Sequence, residues 1–201
     1  MSMFGASEES PRMFKSDFLD LFSRTHFLIV PILFVPASLF LLYQSIVIQE
    51  VSVPLSLGLA VLGFIAWTLT EYWLHRTFFH WKADTWWGPK LHFFVHGVHH
   101  DWPHDKYRLV MPPAVSITLF FVFMGIFLLT LGQYGWAFHA GFVVGYMAYD
   151  LTHYYVHHGK PGLKHFKLLR RHHMSHHFNK RFAEKRFGVS TRIWDRIFGT
   201  A

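Results

Sequence analysis

Histidine is the residue type in this chain best suited to chemistry, because imidazole nitrogens bind metals and move protons. Ten of the seventeen histidines fall into four short groups. Helical residues three and four apart lie on one side of the helix, so most of the spacings inside these groups gather imidazoles on one face. The groups are HRTFFH (His75, His80), HGVHH (His96, His99, His100), HYYVH (His153, His157) and HMSHH (His173, His176, His177).

The number of these histidines predicts two metal ions rather than one. Ten nitrogens exceed the roughly four to six ligands that one transition-metal ion takes. Adjacent helical positions diverge by about 100°, so the doubled histidine that ends HGVHH or HMSHH is expected to reach two different ions. His75 and His80 diverge by about 140° on an ideal α-helix, so this pair is expected either to flank a helix end or to serve both ions.

The ligand type leaves the metal open, since neutral imidazole suits zinc, copper, iron and nickel. The chain has no cysteine, which excludes thiolate sites and iron–sulfur clusters. Carboxylates are scarce near the four groups, unlike in the glutamate-rich di-iron bundles. A pair of irons held by histidine alone would supply redox chemistry without any other cofactor.

Two carboxylates stand one helical turn before a candidate ligand. Glu71 precedes His75 by four residues, and Asp150 precedes His153 by three. Each is expected either to accept a hydrogen bond from its histidine or simply to mark the membrane boundary. The other seven histidines are expected to support the site or the fold: His92, His158 and His172 beside the groups, and His26, His104, His139 and His165 elsewhere.

The elements that must position these histidines are membrane helices. The chain is 52% hydrophobic and 15% charged, whereas soluble domains average about 25% charged residues. Four uncharged stretches are predicted to span the bilayer as two hairpins, with outer turns near Glu50–Pro54 and Gly132–Gly135. The predicted spans cover about 27–49, 51–70, 113–131 and 134–150.

Lysine and arginine predict the orientation. All nineteen lie on one side of the four spans: three before the first, five between the second and third, and eleven after the fourth. This asymmetry predicts that the side is cytoplasmic. We therefore expect one all-α membrane domain over residues 1–201, with a cytoplasmic helical cap (71–108 and 151–201) that holds a dinuclear all-histidine centre. The opening MSMFGASEESPR lacks the pattern of a cleaved signal peptide.

The histidine groups and their flanks resemble a known family. HRTFFH, HGVHHDWPHDKYRLVMPP, YDLTHYYVHHGKP and HHMSHH followed by FGVSTRIWDRIFGT are similar to segments of the fatty acid 2-hydroxylases, within the fatty acid hydroxylase/sterol desaturase superfamily. The resemblance covers roughly residues 65–201 and is most specific from 93 to 113. DKYRLVMPP and YDLTHYYVHH favour the acyl 2-hydroxylase branch.

The resemblance implies a reaction and a set of site residues. Its expected metal ligands are His75, His80, His96, His99, His100, His153, His157, His173, His176 and His177. Tyr149 and Asp150 are also expected to matter for activity. The implied reaction inserts one oxygen atom from O2 at C2 of a long acyl chain, free or within a ceramide. Iron is the expected catalytic metal, although zinc can occupy such sites.

The resemblance also bears on electron supply and location. Many eukaryotic relatives carry an N-terminal cytochrome b5 domain, and the first 25 residues are too short for one. Electrons are therefore expected from a separate reductase, ferredoxin or cytochrome. A form without the cytochrome b5 domain favours a bacterial inner membrane as the location, or the endoplasmic reticulum in a eukaryote. The alternatives are a sterol or carotenoid hydroxylase or desaturase of the same superfamily, and a membrane protein that binds or transports zinc.

Overall fold

A computed structural model describes residues 10–81 and 84–201, and the regular secondary structure of these residues is entirely helical, as predicted. The first nine residues, where no signal peptide is expected, and residues 82–83 of the expected cap lie outside the described part. The α-helices are α1 (Asp17–Phe22), α2 (Ile29–Tyr43), α3 (Val53–Trp73), α4 (Gly88–His92), α5 (Val98–Asp101), α6 (Pro113–Leu131), α7 (Gly135–His158), α8 (Lys164–Phe178) and α9 (Ile193–Ile197).

Short π and 3-10 turns extend or join several of these helices. Three π turns continue α2, α3 and α4: Gln44–Ile48, Leu74–Phe79 and Phe93–Gly97. Two 3-10 turns follow α6 and α8: Gly132–Tyr134 and Lys180–Phe182. π turns are rare and often lie at functional sites, and two of these three carry predicted metal ligands, His75 and His96.

Three continuous helical stretches are long and apolar enough to cross a membrane: Ile29–Ile48, Val53–Phe79 and Pro113–His158. The third has 46 residues and comprises α6 and α7. The chain turns between them at Gly132, whose φ of 56° and ψ of −134° strongly favour glycine. The turn therefore lies where the sequence predicts the apolar run to divide.

Helix α7 is the centre of the bundle and packs against α2, α3 and α6. Its contact with α3 is so close that side chains would not fit at two glycines. A Cβ at Gly141 would lie 1.7 Å from the carbonyl oxygen of Ala60, and one at Gly63 would lie 1.9 Å from that of Phe138. Small residues of this kind let membrane helices approach backbone to backbone.

Two helices continue past the predicted ends of their membrane spans. The second and fourth spans are predicted to end near residues 70 and 150, and helical structure extends beyond these points to Phe79 and His158. Several polar residues in these extensions are buried: Glu71, His75 and His153 are each only 1–2% exposed. His75 and His153 consequently lie on direct extensions of membrane helices.

Candidate metal centre

The structure brings the ten predicted histidines together in two groups of five. In each group, one ring nitrogen from every histidine lies within 4.8 Å of the others. We call the sets group one (His75, His80, His96, His100, His176) and group two (His99, His153, His157, His173, His177). The seven remaining histidines belong to neither group.

The two repeated motifs are shared between the groups. In HGVHH, His96 and His100 belong to group one and His99 to group two; in HMSHH the division is reversed, with only His176 in group one. Neighbouring histidines thus point into different groups, as the angle between adjacent helical positions predicts. Each motif is therefore a bridge between the groups rather than a ligand set for one of them.

A π turn places His75 and His80 in the same group. The sequence prediction assumed an α-helix, on which residues five apart diverge by about 140°. The turn Leu74–Phe79 has i to i+5 hydrogen bonding instead, which brings residues five apart onto one side. Of the two alternatives for this pair, the one that assigns the residues to separate ions is wrong, and His80 does cap the helix end.

The distances between ring nitrogens fit a metal at the centre of each group. Seven pairs of Nε2 atoms lie 2.9–3.1 Å apart. Ligands about 2.1 Å from a common ion and at right angles to each other are separated by about 3.0 Å. Nε2 lone pairs that face one another repel unless they share a cation or a proton. The donor set therefore fits two transition-metal ions.

Burial keeps these imidazoles neutral, which is the form that binds metal. Loss of solvation lowers the pKa of His99 to about 3 and that of His100 to about 2, and neighbouring histidines lower both further. Burial also lowers the pKa of His96, His173 and His177 well below the usual value. At neutral pH these five rings are therefore uncharged, and each has one unprotonated nitrogen that can bind a metal.

The loop from Phe182 to Ser190 orients group one. The carbonyl oxygen of Phe187 lies 2.6 Å from Nδ1 of His75, and that of Lys185 lies 2.7 Å from Nδ1 of His176. These contacts fix the rings and leave Nε2 toward the group. Carbonyls in this position also raise the basicity of a ligating histidine.

Two buried carboxylates hold that loop. Asp195 accepts hydrogen bonds from the backbone N–H groups of Phe187 and Gly188, each at 2.9 Å. Glu71 accepts from those of Val189 and Ser190, each at 2.8 Å. The expectation that Glu71 bonds directly to His75 is wrong, because the Phe187 carbonyl occupies that position; Glu71 supports the histidine through the loop.

The second expected carboxylate also bonds elsewhere. Asp150 accepts a hydrogen bond from the backbone N–H of Met111 at 3.4 Å. Nδ1 of His153 has no hydrogen-bond partner among the described residues, so the predicted Asp150–His153 bond is absent there. Tyr149 is buried and packs against His153, with ring centroids 5.6 Å apart. Both residues lie beside group two without contributing a nitrogen to it.

A cavity of about 580 Å³ reaches both groups, a size typical of small-ligand sites. His96 of group one and His99 and His153 of group two line it, together with Tyr149 and Asp150. Most of the remaining wall is apolar and includes Phe78, Phe79 and Phe94 beside the histidines and one face of α6. A long apolar ligand is therefore the class that fits.

The segment before the first membrane helix closes part of this cavity, which the sequence did not predict. Phe14 and Phe22 line the wall, and Phe14 stacks on Phe94 with ring centroids 5.1 Å apart. Arg108 secures the segment through Asp20 at 2.9 Å and is itself buried beside Asp105 at 3.3 Å. In the sequence, the one hint of this contact is the position of Arg108, a charged residue directly before an apolar run.

The fold and the site together define a class: an all-helical integral-membrane protein with two histidine clusters able to bind metal beside an apolar cavity. Comparison with known proteins then gives the family. Residues 60–200 match the family described as fatty acid hydroxylase. The chain belongs to that family.

Individual relatives agree with this assignment. A dihydroceramide fatty acyl 2-hydroxylase from Arabidopsis thaliana is 38% identical over 97% of this chain and 81% of its own length. Rat (Rattus norvegicus) fatty acid 2-hydroxylase is 38% identical over 94% of this chain and 56% of its own length. A solved structure described as full-length scs7p, with only the hydroxylase domain visible, superposes with a TM-score of 0.85 at 32% identity. The superposition covers 92% of this chain and 69% of the scs7p chain.

Proposed function

We propose that this protein is a membrane monooxygenase that hydroxylates C2 of long-chain acyl groups, free or within ceramide. In the balanced reaction, one oxygen atom of O2 enters the C2–H bond and gives C2–OH. The other leaves as water, with two electrons and two protons consumed. The names of the relatives support this substrate and position, and the family supports the hydroxylation.

One observation carries the proposal: a single apolar cavity is lined by histidines of both groups. A reaction at C2 requires the reacting carbon, next to the polar end of the chain, to lie beside the metals. The rest of the acyl chain must then extend away through apolar surroundings. The cavity meets both requirements, because it runs from His96, His99 and His153 down one face of α6.

The ten histidines of groups one and two are the proposed ligands of two ions, about one in each group. Iron is the proposed catalytic metal, and zinc is able to occupy the same imidazole sites. When bound, the metal pair supplies the redox chemistry that activates O2 toward an unreactive C–H bond. The electrons are proposed to come from a separate protein, a reductase acting with a cytochrome or a ferredoxin.

The chain's own residues position the reactants. The carbonyls of Phe187 and Lys185 hold two group-one rings in a fixed orientation. Asp150 fixes the Leu109–Pro112 loop, which lines the cavity, through the N–H of Met111. Tyr149 packs on His153 and so limits the movement of that ring. We place both Tyr149 and Asp150 as positioning residues, and the apolar wall excludes water from the reacting carbon.

The proposed arrangement in the membrane has four crossings and a cytoplasmic cap, all within one domain over residues 1–201. The 46-residue apolar stretch supports two crossings rather than one, since 46 helical residues extend about 69 Å and the hydrocarbon layer is about 30 Å thick. The position of all nineteen lysines and arginines supports the cytoplasmic side. A bacterial inner membrane is the proposed location, or the endoplasmic reticulum in a eukaryotic host.

Lipid analysis after expression tests the function. The chain is expressed in a host without 2-hydroxy lipids, and mass spectrometry is expected to find 2-hydroxyacyl chains. His96→Ala removes a group-one nitrogen and is expected to abolish them, whereas His165→Ala, an exposed histidine in neither group, is expected to retain them. Altered sterols or carotenoids without 2-hydroxyacyl chains would refute the substrate. Zinc uptake that depends on His96 without any lipid product would refute the enzyme.

A further inference from the structure

Two cavities meet at the same side chains in the membrane part of the protein. The larger, of about 580 Å³, reaches the histidines. A smaller one, of about 30 Å³, is lined by Phe120, His139 and Phe142. Four side chains line both cavities: Leu74, Met111, and Leu119 and Phe123 of α6. These four side chains therefore separate the space that reaches the metal groups from the small space beside it, and Phe123 is the one furthest along α6.

Phe123 is the residue furthest along α6 in the wall of the larger cavity. The wall takes Ala114, Val115, Leu119 and Phe123 from this helix, one after another along one face. Phe123 is ten residues after Pro113, which corresponds to about 15 Å along the helix axis. That is half of the hydrocarbon thickness of about 30 Å, so the proposed third crossing, which begins at Pro113, puts Phe123 near the bilayer midplane. Ordinary membrane acyl chains, which fill one leaflet, end at a similar depth.

Aromatic packing holds Phe123 in place. Its ring centroid lies 4.8 Å from that of Phe142 on α7 and 5.9 Å from that of Phe127 on α6. Such aromatic pairs add to the stability that burial alone provides. Because both neighbours belong to packed membrane helices, moving the ring aside would disturb the contact between α6 and α7. The boundary between the cavities is therefore a fixed surface.

We infer that Phe123 sets the greatest acyl length this enzyme hydroxylates efficiently, by stopping the methyl end of a chain whose C2 lies beside the histidines. The inference rests on the proposed acyl 2-hydroxylation. A chain longer than the cavity must either displace Phe123 or withdraw C2 from the metal groups. A shorter chain leaves part of the apolar wall uncovered. In hydrophobic pockets, one methylene changes selectivity by about tenfold or more.

The test compares product lengths from variants of one helix. Phe123→Ala joins the two cavities, so the ratio of 2-hydroxylated chains beyond the wild-type maximum to those at the maximum is expected to rise about tenfold or more. Phe123→Trp is expected to shift products toward shorter chains. Phe121→Ala is the matched control, because Phe121 lies on the same helix but is 57% exposed on its outer surface and lines neither cavity. Its product profile is expected to equal that of the wild type.

The wild type alone also tests the inference, so it does not depend on a variant that folds. With a series of supplied acyl chains of increasing length, its activity is expected to fall sharply beyond one length. A wild type that hydroxylates ever longer chains without such a fall overturns the role of Phe123 and leaves the proposed function intact. So do active Phe123 variants with the wild-type profile. A wild type that yields no 2-hydroxyacyl product overturns both proposals.

Discussion

Substitution of Asp195 is expected to weaken metal binding in group one and to leave group two unchanged. Its carboxylate is fully buried and accepts four hydrogen bonds. Oδ1 accepts from the N–H of Phe187 at 2.9 Å and the hydroxyl of Thr200 at 2.7 Å. Oδ2 accepts from the N–H of Gly188 at 2.9 Å and lies 2.9 Å from Nε2 of His172. The loop that orients His75 is thus secured by this side chain.

Asp195→Asn preserves the shape and removes half of these acceptors. In either orientation of the amide, its NH2 group faces two donors that previously faced an oxygen. Hydrogen bonds to a charged group contribute about 1.5–3 kcal/mol each, so the loss of two lowers the free energy of unfolding by about 3–6 kcal/mol. A displaced loop also deprives His75 of its carbonyl partner. Changes of this kind typically reduce metal affinity about 10–100-fold.

The assay is metal content per chain, measured with a competing chelator, together with thermal unfolding in detergent. Wild type is expected to retain about two ions, and Asp195→Asn about one, because among the described residues the Phe182–Ser190 loop gives its carbonyls to group-one histidines, His75 and His176. Asp17→Asn makes the same chemical change at an exposed carboxylate and serves as the control. Equal loss of both ions, or loss of neither, would refute the link from Asp195 through the loop to group one.

Three further predictions concern packing, the cavity wall and the metals. Gly63→Ala should lower the free energy of unfolding by about 1–3 kcal/mol, because the added methyl overpacks α3 against α7. Gly58→Ala is the control, since no atom lies within 4 Å of the Cβ it adds, and equal melting temperatures of the two variants would contradict the close contact. Arg108→Met leaves the buried Asp105 without its cation and should cost about 3–5 kcal/mol, against little for the exposed Arg12→Met; a melting temperature unchanged by Arg108→Met would show that the charge is not needed. Chelation should end hydroxylation and added iron should restore it, while restoration by zinc alone would exclude a redox role for the metal.

The metal-binding histidines could be predicted from the sequence because their spacing within each helix is local. The all-helical fold and the family are confirmed, and the ten histidines converge as two sets of five. The four crossings and the cytoplasmic side remain predictions. Of the two alternatives for Glu71 and Asp150, the direct bond to a histidine is wrong, because both accept from backbone N–H groups far along the chain or on a neighbouring loop. Such partners depend on tertiary structure, which spacing within one helix does not encode.

The π turn at His75 illustrates the same limit within a single helix. Nothing in LHRTFF distinguishes π from α hydrogen bonding, and the buried His75 ring packs against His96 and Phe187, which are distant in sequence.

The two groups are in fact stabilised by different means. In group one, carbonyls of the C-terminal loop hold His75 and His176. In group two, the Nδ1 atoms of His153, His173 and His177 have no partner among the described residues, and pairs four apart on α7 and α8 set the ring positions. Group one therefore depends on long-range contacts and group two on helix geometry, so a change in the loop can weaken one metal site and leave the other formed.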